Sequence, residues 1–310
     1  MQSGFSWRQF QESKASYYIV VSLIIISWII IGMKLRLPIQ EEIHTRLHPS
    51  SQEKIHAFLY MPEPYFQDSM LLWLVNGDSR LPMDFAPHDL TSYHGIYLHT
   101  SAFYAYTEML ETMKIAGVHN LQLASGYRPY DYQAGLFNAK VNNLISQGHS
   151  RETATELASE TVHPPGASEH QTGLALDVTI TGDLTQAFAD TSAGKWLAVN
   201  SHRHGFIIRY PQAKTDITHI IYEPWHLRYV GLPHSIIMYE NNLTLEEYPK
   251  FIIQSGAYIV WAEENYYIVI HSKYWPGEPI PGLIGISSDR PGHEPGYIIT
   301  IQRMRTSENN

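Results

Sequence analysis

The pattern of hydrophobic and polar positions divides the chain into an apolar N-terminal run, a mixed middle part and a strand-rich C-terminal part. The apolar run, residues 17–33, contains no charged side chain and is hydrophobic on every face. Because a helix needs about 20 apolar residues to cross a bilayer, we predict one uncleaved transmembrane helix here, behind a cytoplasmic tail of residues 1–16. Lys14 and Lys34 flank the run on either side, so charge alone does not orient it.

The middle part carries two different hydrophobic periods. Residues 34–67 contain several prolines and mixed charge, which predicts a connector. Between residues 68 and 242, some segments alternate every two residues and others repeat every three or four. Alternation predicts a strand at 174–180, and short runs of apolar, β-branched or aromatic residues predict strands at 71–75, 121–124, 206–210 and 218–223. Helical spacing and capping signals predict helices at 101–116, 130–147, 150–161 and 193–204. In the strand 174–180, alternation places Asp177 on the face opposite the apolar side chains, toward a cleft.

The C-terminal part, residues 243–304, has a different composition. Its β-branched and aromatic residues lie in short runs that predict strands at 257–262, 266–272 and 297–302. We therefore predict a small β-rich appendage after the middle domain. The sequence assigns no role to it.

Composition narrows the classes of function. The chain has 310 residues and a formal net charge of −9, so it offers no basic surface for nucleic acid. It has no cysteine, which excludes disulfides, thiolate zinc sites, a cysteine nucleophile and a lipoprotein anchor. The remaining candidates for chemistry are histidine, carboxylate, serine and arginine side chains.

Two short segments contain the ligand types of a zinc hydrolase. The first, 168–177, reads SEHQTGLALD, and the second, 223–226, reads EPWH. A catalytic zinc ion takes three protein ligands and a water, with a base beside it. Gly173 lets the chain fold back between His170 and Asp177, and a separate strand must deliver His226. We predict Zn²⁺ bound by these three residues, with Glu223 as the catalytic base.

Arg128 is a further candidate. It lies in the segment SGYRP, between a predicted strand and a predicted helix, where a loop can reach a cleft. A peptidase needs a cation near the scissile carbonyl or near a substrate carboxylate. Arg128 is suited to either task.

These motifs resemble a known family. The pattern S-x-H-x-x-G-x-A-x-D followed by E-x-W-H is similar to the zinc D,D-peptidases, which share their fold with hedgehog signalling domains. Residues 222–235, YEPWHLRYVGLPHS, resemble the membrane-bound D,D-carboxypeptidases of the VanY type, known from glycopeptide resistance. The resemblance extends from about residue 70 to the C-terminus. It implies an α+β fold for residues 68–242, with a small antiparallel sheet flanked by helices.

The resemblance also implies roles for individual residues. It supports His170, Asp177 and His226 as zinc ligands and Glu223 as the base. Family members use the arginine that corresponds to Arg128 at the oxyanion. Gln133 and Ser168 resemble family positions that contact the substrate terminus. Pro224 stands where dipeptidase relatives carry tryptophan, which favours the carboxypeptidase branch.

The function implied is removal of the terminal D-alanine from the pentapeptide stems of peptidoglycan precursors. In cells with D-Ala-D-lactate termini, this activity would remove the vancomycin target. The substrate lies outside the cell membrane, so we expect a single-pass protein of the bacterial cell membrane with an extracellular catalytic domain. A serine-type enzyme is excluded, because the S-x-x-K matches at Ser51 and Ser192 lack the accompanying S-D-N and K-T-G motifs.

Two alternatives remain open at this point. An L,D-carboxypeptidase or a cross-bridge endopeptidase would use the same four side chains, and the loop 149–167 would decide between the bonds. A non-catalytic zinc-binding module is the other alternative, although such a module needs neither Glu223 nor Arg128. The sequence leaves open the oligomeric state, regulation, and activity on D-Ala-D-lactate or free D-Ala-D-Ala.

Overall fold

The computed structural model describes residues 70–262, 265–272, 282–288 and 296–304. The predicted tail, transmembrane helix and connector, residues 1–67, lie outside these ranges. Within the described ranges, no helix has both the length and the hydropathy required to cross a membrane.

The middle part contains helices and strands close to the predicted bounds. The helices are α1 (Thr100–Ile115), α2 (Tyr130–Ser146), α3 (Arg151–Ser159), α4 (Ser192–Asn200), α5 (Thr215–Thr218), α6 (His234–Glu240) and α7 (Tyr248–Ser255). The strands are β1 (Leu90–Tyr93), β2 (Ile96–His99), β3 (Gln122–Ser125), β4 (Ala175–Thr179), β5 (Phe206–Ile208) and β6 (His226–Tyr229). Four more strands follow: β7 (Ala257–Ala262), β8 (Asn265–Ser272), β9 (Leu283–Ser288) and β10 (Tyr297–Met304).

A four-stranded antiparallel sheet, here called the central sheet, positions the site. Its strand order is β3-β4-β6-β5. The register pairs Ser125 with Asp177 and Asp177 with His226. Two predicted ligands therefore lie on neighbouring strands in one row, and the loop after β3 begins beside them.

The central sheet packs its apolar face on α1 and α4. Leu174, Leu176 and Val178 are buried in one core cluster, with Ile180 packed against it, as the alternation predicted. Asp177 belongs to the opposite face. Since about 25 cal/mol is gained per Å² of buried apolar surface, this register is strongly favoured: a shift by one residue would exchange the two faces.

Two predicted strands are wrong. The segment predicted as the strand 71–75 is instead a 3-10 turn, Met70–Leu72, followed by irregular backbone. Carbonyl groups of this segment accept hydrogen bonds from the buried guanidinium of Arg228, so they do not pair with a neighbouring strand. In the predicted strand 218–223, Thr218 is the last residue of α5 and residues 219–223 are irregular chain, because His219 adopts a left-handed conformation with φ of 58° that interrupts an extended backbone. Glu223 therefore lies in a loop before β6.

The C-terminal strands form a second antiparallel sheet, with the order β7-β8-β10-β9. Its inner face shares a hydrophobic cluster with the middle part, since Val269 and Ile298 pack in the same cluster as Ile207 and Val230. The three predicted strands are confirmed; α7, β9 and the β1–β2 hairpin were not predicted. The domain boundary between residues 242 and 243 stays a prediction.

Candidate metal centre

Three side chains converge at the middle of the central sheet. Asp177 and His226 come from β4 and β6, and His170 comes from the 3-10 turn Glu169–Thr172 that precedes β4. One donor atom from each lies within 4.8 Å of the others. His170 Nε2 is 3.2 Å from Asp177 Oδ2, and His226 Nδ1 is 3.0 Å from Asp177 Oδ1.

The donor atoms fit a divalent cation. His170 Nδ1 lies 2.6 Å from the Gly126 carbonyl and donates to it, which leaves the Nε2 lone pair free for a ligand. Within the described residues, His170 Nε2 and Asp177 Oδ1 are buried and make no hydrogen bond of good geometry. Leaving such atoms buried is unfavourable. Two imidazoles and one carboxylate form a typical ligand set for catalytic zinc.

Asp177 remains ionised, as a metal ligand must. Burial alone would raise the pKa of its carboxyl, but the imidazoles of His170 and His226 hold that pKa well below its ordinary value. The pair of imidazoles and the carboxylate therefore offer a cation one full negative charge.

Two glycines bring the ligand loops close to their neighbours. A Cβ at Gly126 would overlap the Tyr97 carbonyl oxygen, so only glycine permits the approach that aims the Gly126 carbonyl at His170. Gly173 has φ of 72°, and a Cβ there would lie 2.9 Å from the His99 nitrogen. The turn between His170 and Asp177 thus depends on glycine, as the sequence indicated.

Glu223 lies beside the three ligands without being one of the group. Its Oε2 atom is 3.6 Å from His226 Nδ1, and its carbonyl accepts from the His226 backbone N–H at 3.1 Å. Burial raises the pKa of the Glu223 carboxyl to about 7, although His226 opposes this shift. A carboxyl group with a pKa near 7 is suited to both accept and donate a proton at neutral pH.

Arg128 also lies beside Asp177. Its Nη1 atom is 3.6 Å from Asp177 Oδ2, and its side chain is 19% exposed. Its backbone N–H donates to the His170 carbonyl at 3.1 Å, which ties the loop after β3 to the ligand turn. The site therefore has both a cation and a proton-transfer carboxyl group beside the candidate ligands.

Comparisons with known proteins agree with this geometry. The family described as VanY, D-alanyl-D-alanine carboxypeptidase, matches residues 95–232. The putative carboxypeptidase YodJ of Bacillus subtilis (strain 168) is 40% identical over 57% of this chain and 66% of its own length. A D-alanyl-D-alanine carboxypeptidase of Enterococcus faecium is 39% identical over 51% of this chain and 45% of its own length.

A third relative decides the family. The bifunctional D-Ala-D-Ala dipeptidase and D-Ala-D-Ala carboxypeptidase VanXYC of Enterococcus gallinarum is 32% identical over 59% of this chain and 96% of its own length. The chain belongs to the VanY family of D-alanyl-D-alanine carboxypeptidases. It spans 66%, 45% and 51% of the first three curated relatives that it matches.

Solved structures give the same fold. A mutant of VanY from a VanB-type resistance cassette, solved in complex with Zn(II), is 34% identical with a TM-score of 0.53, and the match covers 58% of this chain and 99% of that structure's chain. VanYB in complex with D-alanine-D-alanine is 33% identical with a TM-score of 0.54, and the match covers 59% of this chain and 98% of that structure's chain. The LD-carboxypeptidase LdcB is 39% identical with a TM-score of 0.52, and the match covers 58% of this chain and 86% of that structure's chain. One of these neighbours binds Zn(II), and His170, Asp177 and His226 form the candidate metal site of this chain.

Gln133 and Ser168 occupy buried positions at the edge of the site. Gln133, in the first turn of α2, is 1% exposed and donates from Nε2 to the His163 carbonyl at 2.7 Å. Ser168, which precedes the ligand turn, is also 1% exposed. Their predicted contact with the substrate terminus stays a prediction, since the amide nitrogen of Gln133 already holds the loop at His163.

The sequence reading missed a buried charged cluster behind His226. Glu169 and the guanidinium groups of Arg209 and Arg228 are each at most 1% exposed. Charged residues within otherwise apolar strand segments, FIIR and HLRY, were the signal that could have revealed it. Tyr210 belongs to the same region, with its ring centroid 4.9 Å from that of His226.

Proposed function

We propose that this VanY-family chain is a zinc D,D-carboxypeptidase that removes the terminal D-alanine from peptidoglycan pentapeptide stems. The observation that carries the proposal is the position of Glu223. This carboxyl group lies 3.6 Å from the ligand nitrogen of His226 but outside the ligand set, and Arg128 Nη1 lies 3.6 Å from Asp177 Oδ2. A site that only stores zinc needs neither group.

The protein side chains divide the work of hydrolysis. His170, Asp177 and His226 would hold the zinc ion, which would serve as a Lewis acid toward the substrate carbonyl and the attacking water. Glu223 takes a proton from the attacking water as the oxygen–carbon bond forms. It then returns the proton to the amine nitrogen of the leaving D-alanine as the peptide carbon–nitrogen bond breaks. Arg128 stabilises the negative charge that develops on the carbonyl oxygen.

We also propose the predicted placement and organisation. Residues 17–33 anchor the chain in the bacterial membrane, and residues 68–242 form the zinc D,D-peptidase fold shared with hedgehog domains on the extracellular face. Residues 243–304 form the appendage. The support is the apolar sequence of the anchor and the location of the substrate. In cells with D-Ala-D-lactate termini, hydrolysis of the remaining pentapeptides contributes to vancomycin resistance.

An L,D-carboxypeptidase is the second candidate function. LdcB, an LD-carboxypeptidase, shares 39% identity with this chain, more than either VanY structure described above. The same four side chains would then cut a tetrapeptide stem between an L-centre and its terminal D-alanine. The two reactions differ in the stereochemistry beside the scissile bond, so the substrate decides between them.

The test compares the full chain with its Glu223→Gln variant on a pentapeptide ending in D-Ala-D-Ala and on the matching tetrapeptide, with zinc content measured in parallel. We expect wild type to release one D-alanine from the pentapeptide, insensitive to penicillin. Because the amide cannot transfer the proton, Glu223→Gln should be about 10²–10⁴-fold slower while retaining zinc.

Other outcomes separate the alternatives. Release of D-alanine from the tetrapeptide alone would contradict the D,D-carboxypeptidase proposal and support the L,D-carboxypeptidase. Cleavage of neither stem by zinc-loaded wild type would contradict both peptidase proposals and favour a binding module.

A further inference from the structure

The buried carboxylate of Glu169 uses its two oxygens differently. Its Oε1 atom lies 2.7 Å from Arg209 Nε and 3.1 Å from Arg228 Nη1. Its Oε2 atom faces His226, 3.9 Å from the Nε2 atom of that imidazole. One oxygen is thus occupied by two guanidinium groups, and the other is directed at a metal ligand.

The two facing atoms are complementary. Glu169 Oε2 and His226 Nε2 are both buried and make no hydrogen bond of good geometry within the described residues. The opposite nitrogen of the imidazole, Nδ1, lies 3.0 Å from Asp177 Oδ1. With a proton on Nε2, His226 presents the Nδ1 lone pair to the other ligands, and Glu169 Oε2 is the acceptor aimed at that proton.

We propose that Glu169 is a positioning residue for the metal ligand His226: its Oε2 atom accepts the Nε2–H and holds the imidazole with Nδ1 toward the ion. A ligating histidine commonly donates its second N–H to a carboxylate in this way, which fixes the tautomer and the ring orientation. The present 3.9 Å separation is longer than a hydrogen bond, so the proposal requires the two atoms to approach by about 1 Å when the ion is bound.

The two arginines prevent Glu169 from turning away. The Nη2 atom of Arg228 donates to the carbonyls of Met70, Leu71 and Trp73 at 3.1–3.2 Å, so its guanidinium is anchored by backbone. Arg209 is held by Glu246, through two parallel hydrogen bonds of 3.0 and 2.7 Å. Such forked pairs have a defined geometry as well as a favourable energy.

Glu246 comes from the segment between α6 and α7, at the start of the predicted appendage. It therefore connects the C-terminal part to the metal centre through Arg209, Glu169 and His226 in turn. The inference follows from this chain of contacts. It rests on the metal site of the proposed function, but not on which peptide bond is cut.

The experiment measures the zinc dissociation constant of the full chain, by competition with a chromophoric chelator, for Glu169→Gln and Glu246→Gln. Glu247→Gln is the matched control, because the neighbouring Glu247 pairs with Lys214 at 3.0 Å and that pair does not lead to His226. The second readout is the proton resonance of His226 Nε2–H in the zinc-loaded protein, which moves far downfield when a carboxylate accepts the proton.

We expect zinc to bind about 10–100-fold more weakly to Glu169→Gln, with the Nε2–H resonance shifted upfield. Glu246→Gln should move both readouts in the same direction by about tenfold or less, and Glu247→Gln should match wild type. A Glu169→Gln variant with wild-type zinc affinity and an unmoved resonance would overturn the proposal.

If Glu169→Gln fails to fold, the comparison of Glu246→Gln with Glu247→Gln tests the proposal. A larger loss of zinc affinity in Glu246→Gln than in Glu247→Gln supports the proposal, and equal affinities overturn it. A chain that shows the expected zinc affinities but cuts neither stem peptide would contradict the proposed peptidase function and leave this inference standing.

Discussion

The central sheet and the C-terminal sheet are both four-stranded and antiparallel, but they bury different side chains. The central sheet buries Asp177, His226 and Arg228 on its strands. The described buried positions of the C-terminal sheet are mostly apolar, as at Val269 and Ile298. The same architecture thus holds charges in one region and hydrophobic side chains in the other.

The two sheets therefore contribute differently: the central sheet carries the metal site, and the C-terminal sheet contributes mainly to stability. A buried charge is unfavourable unless an opposite charge, hydrogen bonds or a metal compensate it, so the central sheet retains its charges because the site needs them. The C-terminal sheet has no such requirement and contributes apolar burial to a cluster that both sheets share. Substitutions in the two sheets should therefore affect different measurements.

The largest expected effect is on catalysis at the edge of the central sheet. Arg128→Ala should lower kcat by about 10²–10³-fold, because the developing negative charge loses its cation. The unfolding midpoint should change little, since the side chain is partly exposed and lies in a loop. Arg128→Lys retains the charge without the forked geometry and should have intermediate activity. Equal kcat for all three proteins would show that Arg128 has no role in the reaction.

The next effect is on stability in the C-terminal sheet. Ile298→Ala removes a side chain that is 2% exposed and should lower the free energy of unfolding by about 2–5 kcal/mol, measured by urea denaturation. The folded variant should keep wild-type zinc affinity and kcat. Ile259→Ala, at a position 41% exposed in the same sheet, is the control and should change stability by about 0.5 kcal/mol or less. Loss of zinc affinity in Ile298→Ala would show that the C-terminal sheet contributes to the metal site as well as to stability.

A smaller, pH-dependent effect is expected where the two regions join. His234 accepts or donates hydrogen bonds with Tyr248 at 2.7 Å and with Thr300 of β10 at 3.1 Å. Burial lowers the pKa of His234 from 6.5 to about 3. The folded protein therefore favours the neutral imidazole, and this stabilisation is complete above pH 6.5 and is lost as pH falls toward 3.

Between about pH 7.5 and pH 5, wild type should lose about 2 kcal/mol more stability than His234→Gln. Urea midpoints of both proteins at the two pH values provide the measurement. Other buried histidines titrate in both proteins, so the difference isolates His234. Identical losses would mean that His234 does not remain neutral in the folded state.

The smallest effect is expected at the surface pair Lys214–Glu247. Glu247 is 29% exposed, and a pair in such a position contributes about 0–1 kcal/mol. Glu247→Gln retains an acceptor for the Thr244 backbone N–H, now held at 2.9 Å, so thermal unfolding should shift by about 2 °C or less. A larger shift would place Glu247 among the structurally important charges together with Glu246.

Local sequence patterns predicted much of the fold. The helices α1, α2 and α3, and the alternation along β4, follow from hydrophobic periodicity and local capping signals, such as Ser150 accepting from the Thr153 backbone N–H. The wrong strand at residues 218–223 has a nonlocal explanation. Its β-branched and aromatic residues are suitable for a strand, but His219 adopts a left-handed backbone conformation that interrupts an extended chain and leaves Glu223 in a loop.

The sequence by itself determined the types of the metal-site residues and their family, because the ligand motifs are short and each lies within one turn or strand. The tertiary structure alone decided how these residues are held. Glu169, Arg209 and Glu246 form the support behind His226 only because segments far apart in the chain meet in a buried place. Buried charges require partners, and the identity of a distant partner is a property of packing that hydrophobic periodicity does not contain.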